Sequence, residues 1–154
     1  MQQFPFDEID ELYRKVILDH YRSPRNMVEI GEPDIEYDEY NPVCGDRVVL
    51  QLKLSDGRVE EAGFHGEGCS ISQASASVMM DSLKRKTLEE AEQLSSTFRR
   101  LMQGHTLSED ELTGLGNLAA FQGVRKFPVR IKCALLAWTA LEEGIAEYRR
   151  AGTR

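Results

Sequence analysis

Apolar positions recur with helical spacing at the start of the chain, at Ile9, Leu12, Tyr13, Val16, Ile17 and Tyr21. They predict an amphipathic helix over 7–21 that stops before Pro24. The period then changes. Gly31 and Pro33 mark a loop, and "DIEYDEY" reads as a short strand. In "RVVLQLKL" Val48, Leu50, Leu52 and Leu54 alternate with Val49, Gln51 and Lys53, the two-residue period of a strand with one buried face. Asp56-Gly57 predicts a tight hairpin, and "RVEEAGFHG" supplies the returning strand.

From residue 70 onward the pattern is helical. "SISQASASVMMDSLKRK" is rich in small residues. Thr87 with Glu90, and Ser108 with Glu111, are capping boxes that open helices over "LEEAEQLSSTFRRLMQG" and "SEDELTGLGNLAA". After Pro128 a last helix carries Ala134, Leu135, Trp138, Leu141, Ile145 and Tyr148 on one stripe. Strands followed by helices predict an α+β fold, with an antiparallel sheet of about three strands packed by several helices. No linker or repeat divides residues 1–154, so the expectation is a single domain.

Composition narrows the function classes. Hydrophobic residues make up 41% and charged residues 29%, ordinary for a globular protein. A net charge of −7 argues against nucleic acid as a partner. "MQQFPFDEIDELYRKV" has no basic segment leading into an apolar one, and no apolar run approaches the roughly 20 residues of a membrane span. The expectation is a cytoplasmic protein whose three cysteines stay reduced, an odd count that also fits poorly with a disulfide framework.

Those cysteines fall at predicted element ends. Cys44 lies among turn formers in "EYNPVCGDRV", Cys69 in "GEGCSIS" at a helix start, and Cys133 in the first turns of the last helix. Gly66 and Gly68 are expected to let the backbone turn tightly at Cys69. A helix N-terminus favours a thiolate, so Cys69 is expected to feel that field, with Cys133 a second candidate. Asp46, two residues from Cys44 in an extended segment, can face the same point. Three thiolates and a carboxylate suit tetrahedral zinc, with Zn–S near about 2.3 Å. Such a site is formally anionic, and Arg130, one helical turn before Cys133, is the first candidate for a compensating cation; Arg47 and Lys132 follow.

Residue chemistry leaves the alternative open that each cysteine simply packs in the core, since there is no CxxC pair. His20 and His105 read as solvated or capping residues, and His65 as surface or loop packing near Cys69. Met79, Met80 and Trp138 read as core, and the acidic cluster Glu89–Glu92 as a solvated helix face.

"NPVCGDRV", "GEGCSISQASASVMM" and "FPVRIKCALLAW", in this order, resemble the iron–sulfur cluster assembly family typified by IscU, SufU and the N-terminal domain of NifU. The likeness extends to the opening "LYRKVILDHYRSPRN". It implies the same α+β fold and a convergent site of Cys44, Asp46, Cys69 and Cys133. Lys132 stands where the scaffold type has histidine, Pro128 is single where that type has two prolines, and the chain is longer around residues 98–122. The lysine and the added segment resemble the SufU branch. That branch implies a zinc-dependent sulfurtransferase that takes persulfide sulfur from a SufS-type cysteine desulfurase and serves the Suf assembly machinery. On this reading Cys44 leaves the metal for a partner ligand and becomes the persulfide acceptor. Two alternatives remain: a scaffold that holds iron or a [2Fe–2S] cluster on the same cysteines, and a zinc-stabilised adaptor without sulfur transfer.

Overall fold

The computed structural model describes residues 10–152, so the expected start of the first helix at residues 7–9, with Ile9, lies outside the described residues. Helix α1 runs Glu11–Arg22, opened by Asp10, whose side chain accepts from the Leu12 N–H at 3.0 Å. Strands β1 (Ile35–Asn41), β2 (Asp46–Ser55) and β3 (Arg58–Glu67) form an antiparallel sheet in the order β1-β2-β3. Helices α2 (Ser70–Leu83), α3 (Leu88–Met102), α4 (Glu109–Leu115) and α5 (Pro128–Gly152) follow, with a 3-10 segment, Gly116–Val124, between α4 and α5. The α+β architecture is the expected one.

Local chemistry sets the element ends. Asp56 and Gly57 both have positive φ (53° and 76°), as a type I′ hairpin requires. Both capping boxes form, at Thr87/Glu90 and Ser108/Glu111. Pro128 opens α5, where its missing N–H costs no helical bond. The expected helix over 108–120 is broken. Gly116, at φ 56°, ends α4, and the chain tightens into the 3-10 segment.

Val48, Leu50 and Leu52 face the helices and are buried. Helix α2 is central: Ile71, Ala74, Ala76, Val78, Met79, Met80 and Leu83 are all buried, and its small residues let α1 and α5 approach closely. Trp138 stacks near Phe98 at 5.0 Å between ring centroids, and Phe98 meets Phe121 edge-on at 5.9 Å. Met79, Met80 and Trp138 are therefore core, as expected. Two stripe residues depart from expectation: Leu12 is 66% exposed and Tyr148 39%.

The outer face of the sheet is not simply solvated. Val49 and Gln51 are buried, and residues 26–30 strap this face at Gln51. Ile30 N–H donates to Gln51 Oε1 at 2.8 Å, and Phe64 N–H to the Asn26 carbonyl at 3.0 Å. Gly63 makes room for this strap, since a Cβ there would lie 2.6 Å from the Val28 carbonyl oxygen. His20 also differs from its reading as a solvated or capping residue. It is buried, and its Nδ1 pairs with Ser77 Oγ at 2.8 Å.

Candidate metal centre

The β1–β2 turn, the start of β2, the head of α2 and helix α5 deliver the candidate residues to one end of the sheet. Cys44 sits in the β1–β2 turn. Asn41 shapes that turn: its carbonyl accepts from Gly45 N–H (2.8 Å) and its side chain from Val43 N–H (3.0 Å). Gly45 takes φ 75°, and Val43 at the tip is 76% exposed. Asp46 begins β2 and is buried, 3% exposed. Cys69 is the N-cap of α2, and Cys133 lies buried in the second turn of α5.

The donor atoms of Cys44, Asp46 and Cys133 all lie within 4.8 Å of one another. Cys69 joins them through Asp46: its Sγ is 3.4 Å from Oδ2, and its N–H donates to Oδ1 at 3.1 Å. Cys44, Asp46 and Cys69 border a cleft of about 460 Å³, which Val43, Gly45, Glu67, Gly68, Val129 and Arg130 complete; Cys133 lies buried behind it.

The three thiols are electrostatically distinct. A hydrogen bond from the Cys133 thiol, aided by the Ser72 and Ile71 N–H groups at the start of α2, brings Cys69 down to about 6 despite burial. The same bond, with burial, pushes Cys133 up, so the pair shares one proton with the charge on Cys69. The expected effect of a helix N-terminus therefore holds for Cys69 and fails for Cys133, which sits beyond the first turn. Burial raises Cys44, and the Asp46 N–H pulls the other way.

Arg130 faces this pair. Burial works against its charge, but the Cys69 and Cys133 sulfurs outweigh it and raise its pKa. The other two cations named from the sequence do not face the cleft. Arg47 is held by Asp38, 2.9 Å from Nε to Oδ1. Lys132 lines a neighbouring groove of about 270 Å³ with Tyr40, Pro42, Arg99 and Leu135. His65 is on β3, paired across the sheet with Val49, and does not border the cleft.

Gly66 has the expected role among the residues that shape the site, whereas Gly68 was misread and Ser72 missed. Gly66 needs its glycine backbone, with φ 152° and the Arg47 carbonyl against it. Gly68 has no left-handed φ; its role is spatial. Ser72, whose Oγ accompanies the Cys69 carbonyl at 3.1 Å, carries no sequence signal beyond following a cysteine at a helix start.

Three sulfurs and one buried carboxylate, with a thiolate already favoured and a guanidinium alongside, match the donor chemistry of zinc, and thiolates also ligate iron and iron–sulfur clusters. A small α+β protein with a cysteine–aspartate centre at the sheet end is the class that fold and site define. The chain belongs to the NifU-like N-terminal domain family, whose model matches residues 12–134. It is 50% identical over 139 residues to the zinc-dependent sulfurtransferase SufU of Bacillus subtilis, covering 90% of this chain and 92% of that protein. It is 38% identical over 145 residues to the iron–sulfur cluster assembly scaffold protein IscU of Streptococcus pyogenes, covering 94% and 89%. A crystal structure of the N-terminal part of a nitrogen-fixing NifU-like protein from Brucella abortus superposes with a TM-score of 0.81 at 25% identity, covering 94% of this chain and 96% of that one.

Proposed function

We propose that this chain is a zinc-dependent sulfur-transfer protein of iron–sulfur cluster assembly, acting as one domain in the cytoplasm. Its donor would be a SufS-type cysteine desulfurase, and its product would pass to Suf-type assembly machinery. Cys44, Asp46, Cys69 and Cys133 would hold the zinc, with Arg130 offsetting the excess negative charge and Lys132 acting from the neighbouring groove. Bound zinc would keep the thiols deprotonated and in register.

The observation that carries this reading is the unequal anchoring of the cysteines. Cys69 and Cys133 are fixed in helices that build the core, whereas Cys44 rides an exposed turn at the cleft mouth. The Cys44 thiolate attacks the sulfane sulfur of the donor persulfide. A new S–S bond forms on Cys44, the donor's S–S bond breaks, and the donor cysteine leaves as a thiolate. No outside oxidant or reductant enters this exchange.

The test is Cys44→Ser. The variant is expected to stay folded and to lose at least about a hundredfold of its stimulation of cysteine turnover by the desulfurase. In the wild type, mass spectrometry is expected to find an added sulfur on Cys44. Full stimulation by the variant overturns the assignment. Zinc content and a visible spectrum of anaerobically purified protein separate the scaffold reading, because a [2Fe–2S] cluster absorbs visible light and zinc does not.

A further inference from the structure

Asp46 is a buried carboxylate whose direction is set from one side by Cys69 N–H. From the other side it meets the chain at Gly68. A Cβ at Gly68 would stand 3.1 Å from both Cγ and Oδ1 of Asp46, tighter than ordinary van der Waals contact. It would also press inside contact distance on Ser72 Oγ, which cannot simply retreat because it lies 3.1 Å from the Cys69 carbonyl. The backbone at Gly68 is outside the left-handed region, so conformational freedom does not explain a glycine there. What the missing side chain supplies is a slot between Ser72 and the site, and the Asp46 carboxylate fills it.

We propose that Gly68 is a positioning residue for Asp46: its lack of a side chain admits the carboxylate to the cysteine cluster and holds it at the fourth donor position. This rests on the proposed ligand set. In Gly68→Ala the new methyl is trapped between the Ser72 hydroxyl and Asp46. The carboxylate turns away, leaving a three-sulfur site although no ligand has been replaced. Ser72 sets the back wall of the slot, so removing its hydroxyl should relieve part of the crowding.

The experiment measures zinc extraction by an excess of chromogenic chelator and the visible d–d spectrum of the cobalt(II)-substituted protein. The variants are Gly68→Ala, Asp46→Ala, their double variant, and Gly68→Ala with Ser72→Ala. Gly68→Ala is expected to lose zinc about ten- to a hundredfold faster than wild type, the range for supporting residues of a metal site. Its cobalt spectrum should match that of Asp46→Ala, and the double variant should lose zinc no faster than Asp46→Ala alone. Adding Ser72→Ala should recover part of the retention. If the effects of Gly68→Ala and Asp46→Ala simply add, or if Gly68→Ala keeps a wild-type cobalt spectrum, the proposal is overturned. If Asp46→Ala itself retains zinc like wild type, the carboxylate is no ligand and the role of Gly68 falls with it. Sulfur labelling of Cys44 still reads the proposed function separately. Should Gly68→Ala not fold, the Gly68→Ala/Ser72→Ala protein with and without Asp46→Ala carries the same comparison.

Discussion

At the scale of single residues, chemistry written into turn formers and caps was legible, and chemistry set by covering segments was not. Asn41, Pro42 and Gly45 around Cys44 announce a turn, and a cysteine just before a small-residue helix announces an N-cap. His20 has no such flag. It lies three residues after Ile17 on the buried stripe of α1, yet an imidazole on that stripe reads as surface until Ser77 is seen opposite it. Burial lowers its pKa, with the nearby Arg25 charge acting the same way. The unfolded chain then binds a proton more readily than the native one between the ordinary histidine pKa and the lowered value, so stability falls as pH drops through that window. Metal-free protein should therefore lose Tm from about pH 7.5 to about pH 5.5, with a smaller loss in His20→Gln. An equal pH slope in both proteins would show that His20 titrates normally.

At the scale of elements, periodicity and capping chemistry identified the three strands and five α-helices of the described residues, but not the 3-10 segment Gly116–Val124. The exceptions were tertiary. Residues 26–30 have no period, so nothing in the alternation of β2 shows that Val49 and Gln51 would be covered. The α4 break depends on Gly116 taking positive φ, which one glycine among several does not declare. The acidic face of α3 is exposed as expected but not merely solvated: Arg149 of α5 reaches Glu92 at 2.7 Å and Glu89 at 3.1 Å. Of the two capping boxes, the one on α3 opens the longer helix, packed on α5 through Phe98 and Trp138. Thr87→Ala leaves the Glu90 N–H without its cap and should cost about 1 kcal/mol in urea unfolding at unchanged m. Thr87→Ser keeps the acceptor and should cost less. Indistinguishable unfolding midpoints for all three proteins would mean that tertiary packing alone sets this helix start.

At the scale of the whole molecule, charge is unevenly placed. The chain carries a net −7, yet residues 112–141 contain Arg125, Lys126, Arg130 and Lys132 and no acidic residue. This basic stretch leads into α5 and passes the cleft. If the proposed donor meets the protein here, its docking surface should be acidic, and raising salt from about 50 to about 300 mM should weaken the encounter as the Debye length shortens. Lys132→Glu should raise the concentration needed for half-maximal stimulation about fivefold, equivalent to roughly 1 kcal/mol, while leaving zinc content unchanged. Salt-independent stimulation would place the docking surface elsewhere.

The cysteines reach one another only through finished architecture: one from a hairpin turn, one from the head of a central helix, one from the last helix. No local stretch of the chain contains even two of them close together. A zinc finger can grip its ion while still a short peptide; the proposed site of this chain could grip one only after long loops have closed and α2 has docked on α5. During synthesis Cys44 and Cys69 therefore leave the ribosome well before Cys133 exists to complete the set. With the proposed ligand set, metal uptake would be a late checkpoint in the life of the molecule, and retained zinc would certify that folding had already succeeded.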